Sequence, residues 1–200
     1  MIVFRHADPR FPFLWATNDQ PAARWHADGE GPVHYFSTTP DAAWAEFLRH
    51  EGITDPADLD GVDRSLWAVE LAAPPPLRPR LPRATLTGGE DTYPACRLEA
   101  RRLRDRGAPG LTAPSAAVDP ASGSGWRADR AGLLAARRRA ESVIVLFGRR
   151  PDLVGWAACH EGRPRPDLLP RVRHLGASPS ASVGAGTVVN AGGDAGAGGG

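Results

Sequence analysis

The chain has 200 residues, 42% hydrophobic and 24% charged, which suits one packed domain with a short remainder and excludes a fibre, a coiled coil or a largely disordered chain. Its 24 basic residues, every one an arginine, balance 23 acidic ones to a net charge of +1, so the totals point to no polyanionic partner and single out no guanidinium. The longest unbroken apolar run, Val143 to Phe147, is far too short to span a membrane, and Met1-Ile-Val-Phe is cut off by Arg5 before any secretory pattern develops. The expected compartment is the cytoplasm.

Residues 2–5 predict a short strand, and 33–37 (VHYFS), β-branched and aromatic, a stronger one. Thr39-Pro40-Asp41 then announces a helix: a capping hydroxyl, a proline at the first position and an acid in the first turn. It should run over 40–50 and stop at Gly52. A strand is expected over 66–71 (LWAVEL), followed by an extended, proline-rich loop over 74–82. A second helix should open at Asp91, run through Arg106 and end at Gly107. Residues 111–118 read as extended around Pro114, 141–147 (ESVIVLF) as the clearest strand in the chain, and 153–157 as another. Strands and helices without a regular βαβ rhythm predict an α+β fold. Residues 176–200 hold nine of the 23 glycines, no aromatic residue and one charge, and are expected to form a Gly/Ala-rich disordered tail behind a domain over 1–175.

No GxGxxG follows a strand and no GxxxxGK[ST] occurs, so neither dinucleotide nor P-loop binding of the usual kind is expected. The six histidines and two cysteines have no ligand spacing, so no metal site is expected; Cys96 and Cys159 should be reduced and semi-buried. The arginines of 97–106 and 137–139 are interrupted by acids and lack aromatic interleaving, which favours a solvated face over a nucleic-acid stripe.

Three positions stand out chemically. Within 42–48 (AAWAEFL) every residue but Glu46 is apolar. A carboxylate on so buried a helix must be paired or shift its pKa. The competing reading places Glu46 on a solvated stripe with Arg49 and His50, at i+3 and i+4. Arg24 stands beside Trp25, just before a glycine turn, where a planar cation can face a phosphate or stack on the indole. Ser115 is a lone hydroxyl among small apolar residues, without the GxSxG context of a hydrolase nucleophile.

Taken in order, Arg24-Trp25 before a glycine turn, a strand with Tyr35-Phe-Ser37, the Glu46 helix, and Pro114-Ser115-Ala116 resemble the RES domain, a family named for its Arg, Glu and Ser. The resemblance spans residues 4–156, includes the early Phe4-Arg5, and is similar in wording to a stand-alone actinobacterial branch. His26 departs from the Asn usual after Arg-Trp in toxin-type members, and 119–126 lacks their Asn-Pro…His segment.

The resemblance implies a mixed β core with flanking helices, like that of the ADP-ribosyltransferases. It implies NAD+ as substrate, inorganic phosphate as co-substrate, and phosphorolysis of the nicotinamide–ribose bond in a bacterial toxin or stress effector. Protein ADP-ribosylation and nucleotide binding without turnover are the alternatives. It assigns catalysis to Glu46, Arg24 and Ser115, and binding of NAD+ or phosphate to Arg5, Arg24, Tyr35 and Ser115. The implied partner is an Xre/Cro-like antitoxin protein, with no direct nucleic-acid or membrane contact, and with oligomeric state open between monomer and homodimer.

Overall fold

The computed structural model describes residues 1–14, 17–119, 123, 125–130 and 132–175. The expected tail over 176–200 lies outside them. The elements run β1 (Ile2–Ala7), β2 (Val33–Ser37), α1 (Pro40–Glu51), β3 (Arg64–Glu70), α2 (Arg83–Thr87), α3 (Tyr93–Asp105), β4 (Gly110–Pro114), β5 (Trp126–Asp129), β6 (Gly132–Ala135), β7 (Ser142–Phe147) and β8 (Val154–Gly162). Six strands form one sheet in the order β4-β7-β2-β1-β3-β8, and β5 and β6 form a separate hairpin. Every ladder is antiparallel. Helices lie on one face of this sheet, and the α+β expectation holds.

Local chemistry explains α1. Thr39 accepts the Ala42 amide at 3.2 Å, Pro40 occupies the first turn, and Gly52 at φ 68° closes the helix by donating to the Leu48 carbonyl. The helix lies over β1 and β2, burying Ala43, Trp44, Phe47 and Leu48 with Leu66 of β3, Leu168 and Leu169. Helix α3 covers the other half of the same face. Its Cys96, Ala100 and Leu103 pack on Leu111, Val143 and Val145. The strand period of two sends the alternate residues to the opposite face, where Val3, Phe36, Val69, Ile144 and Leu146 form a second layer capped by Phe13, Leu14 and Leu153. Each fully buried side chain of this size stabilises the fold by roughly 1.5–3 kcal/mol.

The sheet is not uniformly zipped. β1 meets β3 along six residue pairs, and β2 meets β7 along five. Between β1 and β2 only Phe4 and Ser37 are paired, so the centre of the sheet opens beyond that point. This parting, roofed on one side by α1 and on the other by α3, makes the cleft described below.

Several expectations are corrected. β1 and β8 extend beyond their predicted ends, because both borrow length from β3. Ser115 is not in a strand: β4 stops at Pro114, and Ser115 begins the bend that follows. The second helix starts at Tyr93, after a single tight turn over Glu90–Thr92. Cys96 is buried as a small apolar group, whereas Cys159 is exposed on β8, the sheet's edge strand. The proline-rich loop is extended, as expected, and docks on β4 through Thr112, whose amide donates to Leu77 O at 2.9 Å and whose hydroxyl donates to Pro75 O at 3.0 Å. Among the described residues no helix is long and apolar enough to cross a membrane.

Candidate functional site

The cleft has a volume of about 340 Å³ and is lined by side chains from β1, β2, α1 and the start of α3, including Arg5, Arg24, Tyr35, Glu46 and Arg49. The turn from Gly88 to Thr92 carries two of these. Arg24 Nη2 donates to Gly88 O at 2.7 Å, and Arg49 Nη2 donates to the same carbonyl at 2.9 Å. A Cβ at Gly88 would lie 2.5 Å from Thr92 Cγ2 and 2.9 Å from Ala84 O, so only glycine fits this anchoring turn. Arg24 also donates to Thr92 Oγ1 at 3.1 Å and lies 4.6 Å from the centre of the Tyr93 ring. The guanidinium is thereby fixed in position before any ligand arrives.

Glu46 projects from α1 between these cations. Ser115 Oγ donates to Glu46 Oε1 at 2.9 Å and accepts the Ala117 amide at 3.2 Å, which leaves the hydroxyl proton one direction to point. The Ser115 amide donates to Glu141 O, tying this bend to the strand beside it. Burial pushes the Glu46 carboxyl above its ordinary value. The Ser115 hydrogen bond, Arg49 and Arg24 act in the opposite direction.

Arg49 settles the two readings of Glu46. It is not on a solvated stripe. It is buried and donates to Ala116 O at 2.9 Å, to Gly88 O, and to Arg173 O. Glu46 itself is half-buried, so the i, i+3 pair faces the cleft rather than a solvated stripe. His50, at i+4, is the exposed member of that trio and lines the cleft mouth.

Arg5 belongs by alternation to the opposite sheet face, opposite Trp67, and lies 6.0 Å from the Phe36 ring. It lines the cleft because β1 and β2 part beside it. Its Nη1 is buried with no hydrogen-bond partner, and burial lowers the guanidinium to about 10. At neutral pH it is still a cation, and it has donors to give.

Tyr35 is differently disposed. Its hydroxyl accepts the Trp25 amide at 3.1 Å and sits 2.9 Å from His26 Nδ1, and burial pushes the phenol up. What it offers the cleft is its ring. His26 therefore pairs with Tyr35, while His34 lies on the other face, bonded to Gly148 O, so the two histidines do not converge.

The cleft thus gathers Arg5, Arg24, Tyr35 and Glu46. Ser115 does not line it. The serine sits between the cleft-lining Pro114 and Ala116, behind Glu46, and donates to that carboxylate. Replacing Ser115 by alanine should raise the Glu46 pKa further and free its rotamer. The measurable consequence is a shift of the acid limb of the pH–activity profile to higher pH, with the fold retained by circular dichroism. Sequence reasoning missed Arg49, Tyr93 and His6. His6 is held neutral, lowered to about 3 by burial first and then by the nearby Arg64, Arg5 and His50, and it stands at 3.3 Å from Arg64 Nη2. Only the i+3 spacing from Glu46 hinted at Arg49. Among the described residues no three His, Cys, Asp or Glu side chains gather to hold a metal ion.

No curated protein matches the chain. The RES domain family model matches residues 2–165 of the 200, a span that contains every cleft residue named above and all five residues singled out from sequence. With the ordered Arg24, Glu46 and Ser115 meeting around one carboxylate, this chain belongs to the RES domain family.

Proposed function

We propose that the cleft binds NAD+ and cleaves its nicotinamide–ribose bond, with inorganic phosphate as the acceptor. The observation that carries this reading is one half-buried carboxylate lining the cleft, Glu46, set among three guanidiniums, one of which has an orphaned donor. Loss of nicotinamide builds positive charge on C1 of the ribose, and a fixed carboxylate stabilises an oxocarbenium-like centre, as carboxylates do in glycoside hydrolysis. A phosphate oxygen forms the new bond to C1 as the C1–N bond breaks. The bonding pair leaves with the nicotinamide nitrogen and neutralises the pyridinium. The products are nicotinamide and ADP-ribose phosphate.

The anionic parts of the reaction need cations. Arg24 and Arg49 are already committed to backbone carbonyls and hold the site's shape. Arg5 is the guanidinium with hydrogen-bonding capacity to spare, and it takes the pyrophosphate or the incoming phosphate. The Tyr35 ring is a stacking surface for a planar base. Such an enzyme depletes NAD+, which suits a bacterial toxin or stress effector restrained by an Xre/Cro-like antitoxin protein.

The test is nicotinamide release from NAD+ by purified protein, followed by HPLC with and without phosphate. Phosphate-dependent release supports phosphorolysis. Phosphate-independent release with label moving to protein replaces it by ADP-ribosyl transfer, and NAD+ binding without release reduces the chain to a binding module. Arg5→Met is expected to raise KM for phosphate or NAD+ about 10- to 100-fold, the worth of one charge-assisted hydrogen bond, while kcat at saturation changes far less. Unchanged KM values for both would remove Arg5 from the binding site.

A further inference from the structure

The β5–β6 hairpin has no place in the cleft chemistry. Among the described residues its two strands pack mainly on each other rather than on the helices or the six-stranded sheet. The register pairs Trp126 with Ala135 and Ala128 with Leu133, so by alternation these four share one face, and that face is wholly apolar. It is bare: Trp126 is 72% exposed and Leu133 68%. An isolated two-stranded ribbon is marginally stable in water, and large exposed apolar residues on one mark a contact surface. Around it stand Arg127, Arg130, Arg137, Arg138 and Arg139, against the single acid Asp129. None of the five arginines forms an ion pair among the described residues.

The opposite charge is concentrated elsewhere on the same molecule. Residues 51–63 carry Glu51, Asp55, Asp58, Asp60 and Asp63 and no basic residue. They form the end of α1 and a short turn over Pro56–Gly61, and all five acids are exposed. Asp60 pairs with Arg163, and Asp55 caps the turn through the Ala57 amide. Glu51, Asp58 and Asp63 have no ion-pair partner among the described residues.

We infer that the chain self-associates, the basic, apolar-faced β5–β6 hairpin of one copy docking against the acidic 51–63 turn of a second copy. Hairpin against hairpin would set five arginines against five and is repulsive. A second copy supplies three acids without an ion pair among the described residues, Glu51, Asp58 and Asp63, at every encounter. A two-fold pair makes the contact twice and closes. Trp and Arg, with an apolar centre and a charged rim, are the residues that such interfaces favour.

The test is molecular mass in solution by sedimentation velocity on the full chain. At low ionic strength the wild type is expected at twice 21.2 kDa, falling toward the monomer as salt screens the rim. The triple variants Arg130→Glu/Arg137→Glu/Arg138→Glu and Glu51→Arg/Asp58→Arg/Asp63→Arg should each be monomeric and folded by circular dichroism. Mixed in equal amounts they should restore the dimer, because each reversed surface then faces its complement. Trp126→Ala should weaken association at least tenfold. A wild type that stays monomeric at low salt, triple variants that dimerise as the wild type does, or folded variants that fail to associate on mixing would each overturn the inference.

Discussion

Glu46→Gln is expected to lower nicotinamide release about 10²- to 10³-fold, the usual cost of losing one preorganised group at a developing charge, while NAD+ binding measured by calorimetry changes little. Glutamine keeps the shape of the side chain and still accepts from Ser115 Oγ, so the hydrogen bond at 2.9 Å survives and only the charge is lost. Equal turnover by the variant would sink the catalytic role.

The same residue sets a pH dependence. Burial holds the folded-state pKa of Glu46 above its ordinary value of 4.5. If the working form is the carboxylate, activity rises as pH passes through this raised value, so the acid limb lies above 4.5. Stability runs the other way. Between the unfolded and folded values the native state binds more protons than the unfolded state, so this group's contribution is most favourable at low pH and is lost as pH rises through that window. Glu46→Gln removes the penalty, and the variant should be as stable as the wild type or more so at neutral pH. Thermal denaturation at pH 7 checks this. A large fall in Tm would mean that the carboxylate holds the fold together rather than serving the reaction.

Arg49→Ala is expected to destabilise the protein by about 3–5 kcal/mol, or on the order of 10 °C in Tm for a chain of this size. The guanidinium satisfies carbonyls from three separate segments, at Gly88, Ala116 and Arg173, and it is the buried cation one turn along from Glu46. Removing it leaves those acceptors and a carboxylate without compensation in a poorly solvated site. Arg49→Lys keeps the charge but replaces a planar fork by one ammonium, so it should recover part of the loss. The activity of Arg49→Lys, measured below its Tm, separates structure from electrostatics. Its acid limb should stay near the wild-type position, because Arg49 lowers the Glu46 pKa through charge, whereas Arg49→Met should move that limb upward. Coincident limbs for Lys and Met would show that the charge at 49 does not reach Glu46.

Helix α1 was legible nearly to the residue, because its signals are local. Thr39, Pro40, Asp41 and Gly52 each act on backbone groups within a turn of themselves. Strands β2 and β7 were legible for a similar reason: short β-branched runs have few alternatives to a sheet interior. The β5–β6 hairpin was not, since 126–135 carries no tight-turn dipeptide and its arginines look like any solvated segment. The end of β4 was misread because Pro114 is compatible with extended backbone on both sides, and only the lost pairing with β7 beyond Ser142 ends the strand.

The candidate site divides along the same line. Composition, apolar pattern and capping residues were enough to yield an α+β domain and to mark Glu46 as a carboxylate in an apolar helix, since these depend on neighbours within a few positions. The answer to that carboxylate came from the tertiary structure alone. Ser115 lies 69 positions from Glu46, and Ala116, which holds Arg49, lies 67 positions from that arginine. Arg5 faces the cleft only because β1 and β2 pair at one residue and then part. Pairing across such distances is set by sheet register and by how two helices share one face. No residue encodes either by itself, because register is chosen by the burial of every strand at once.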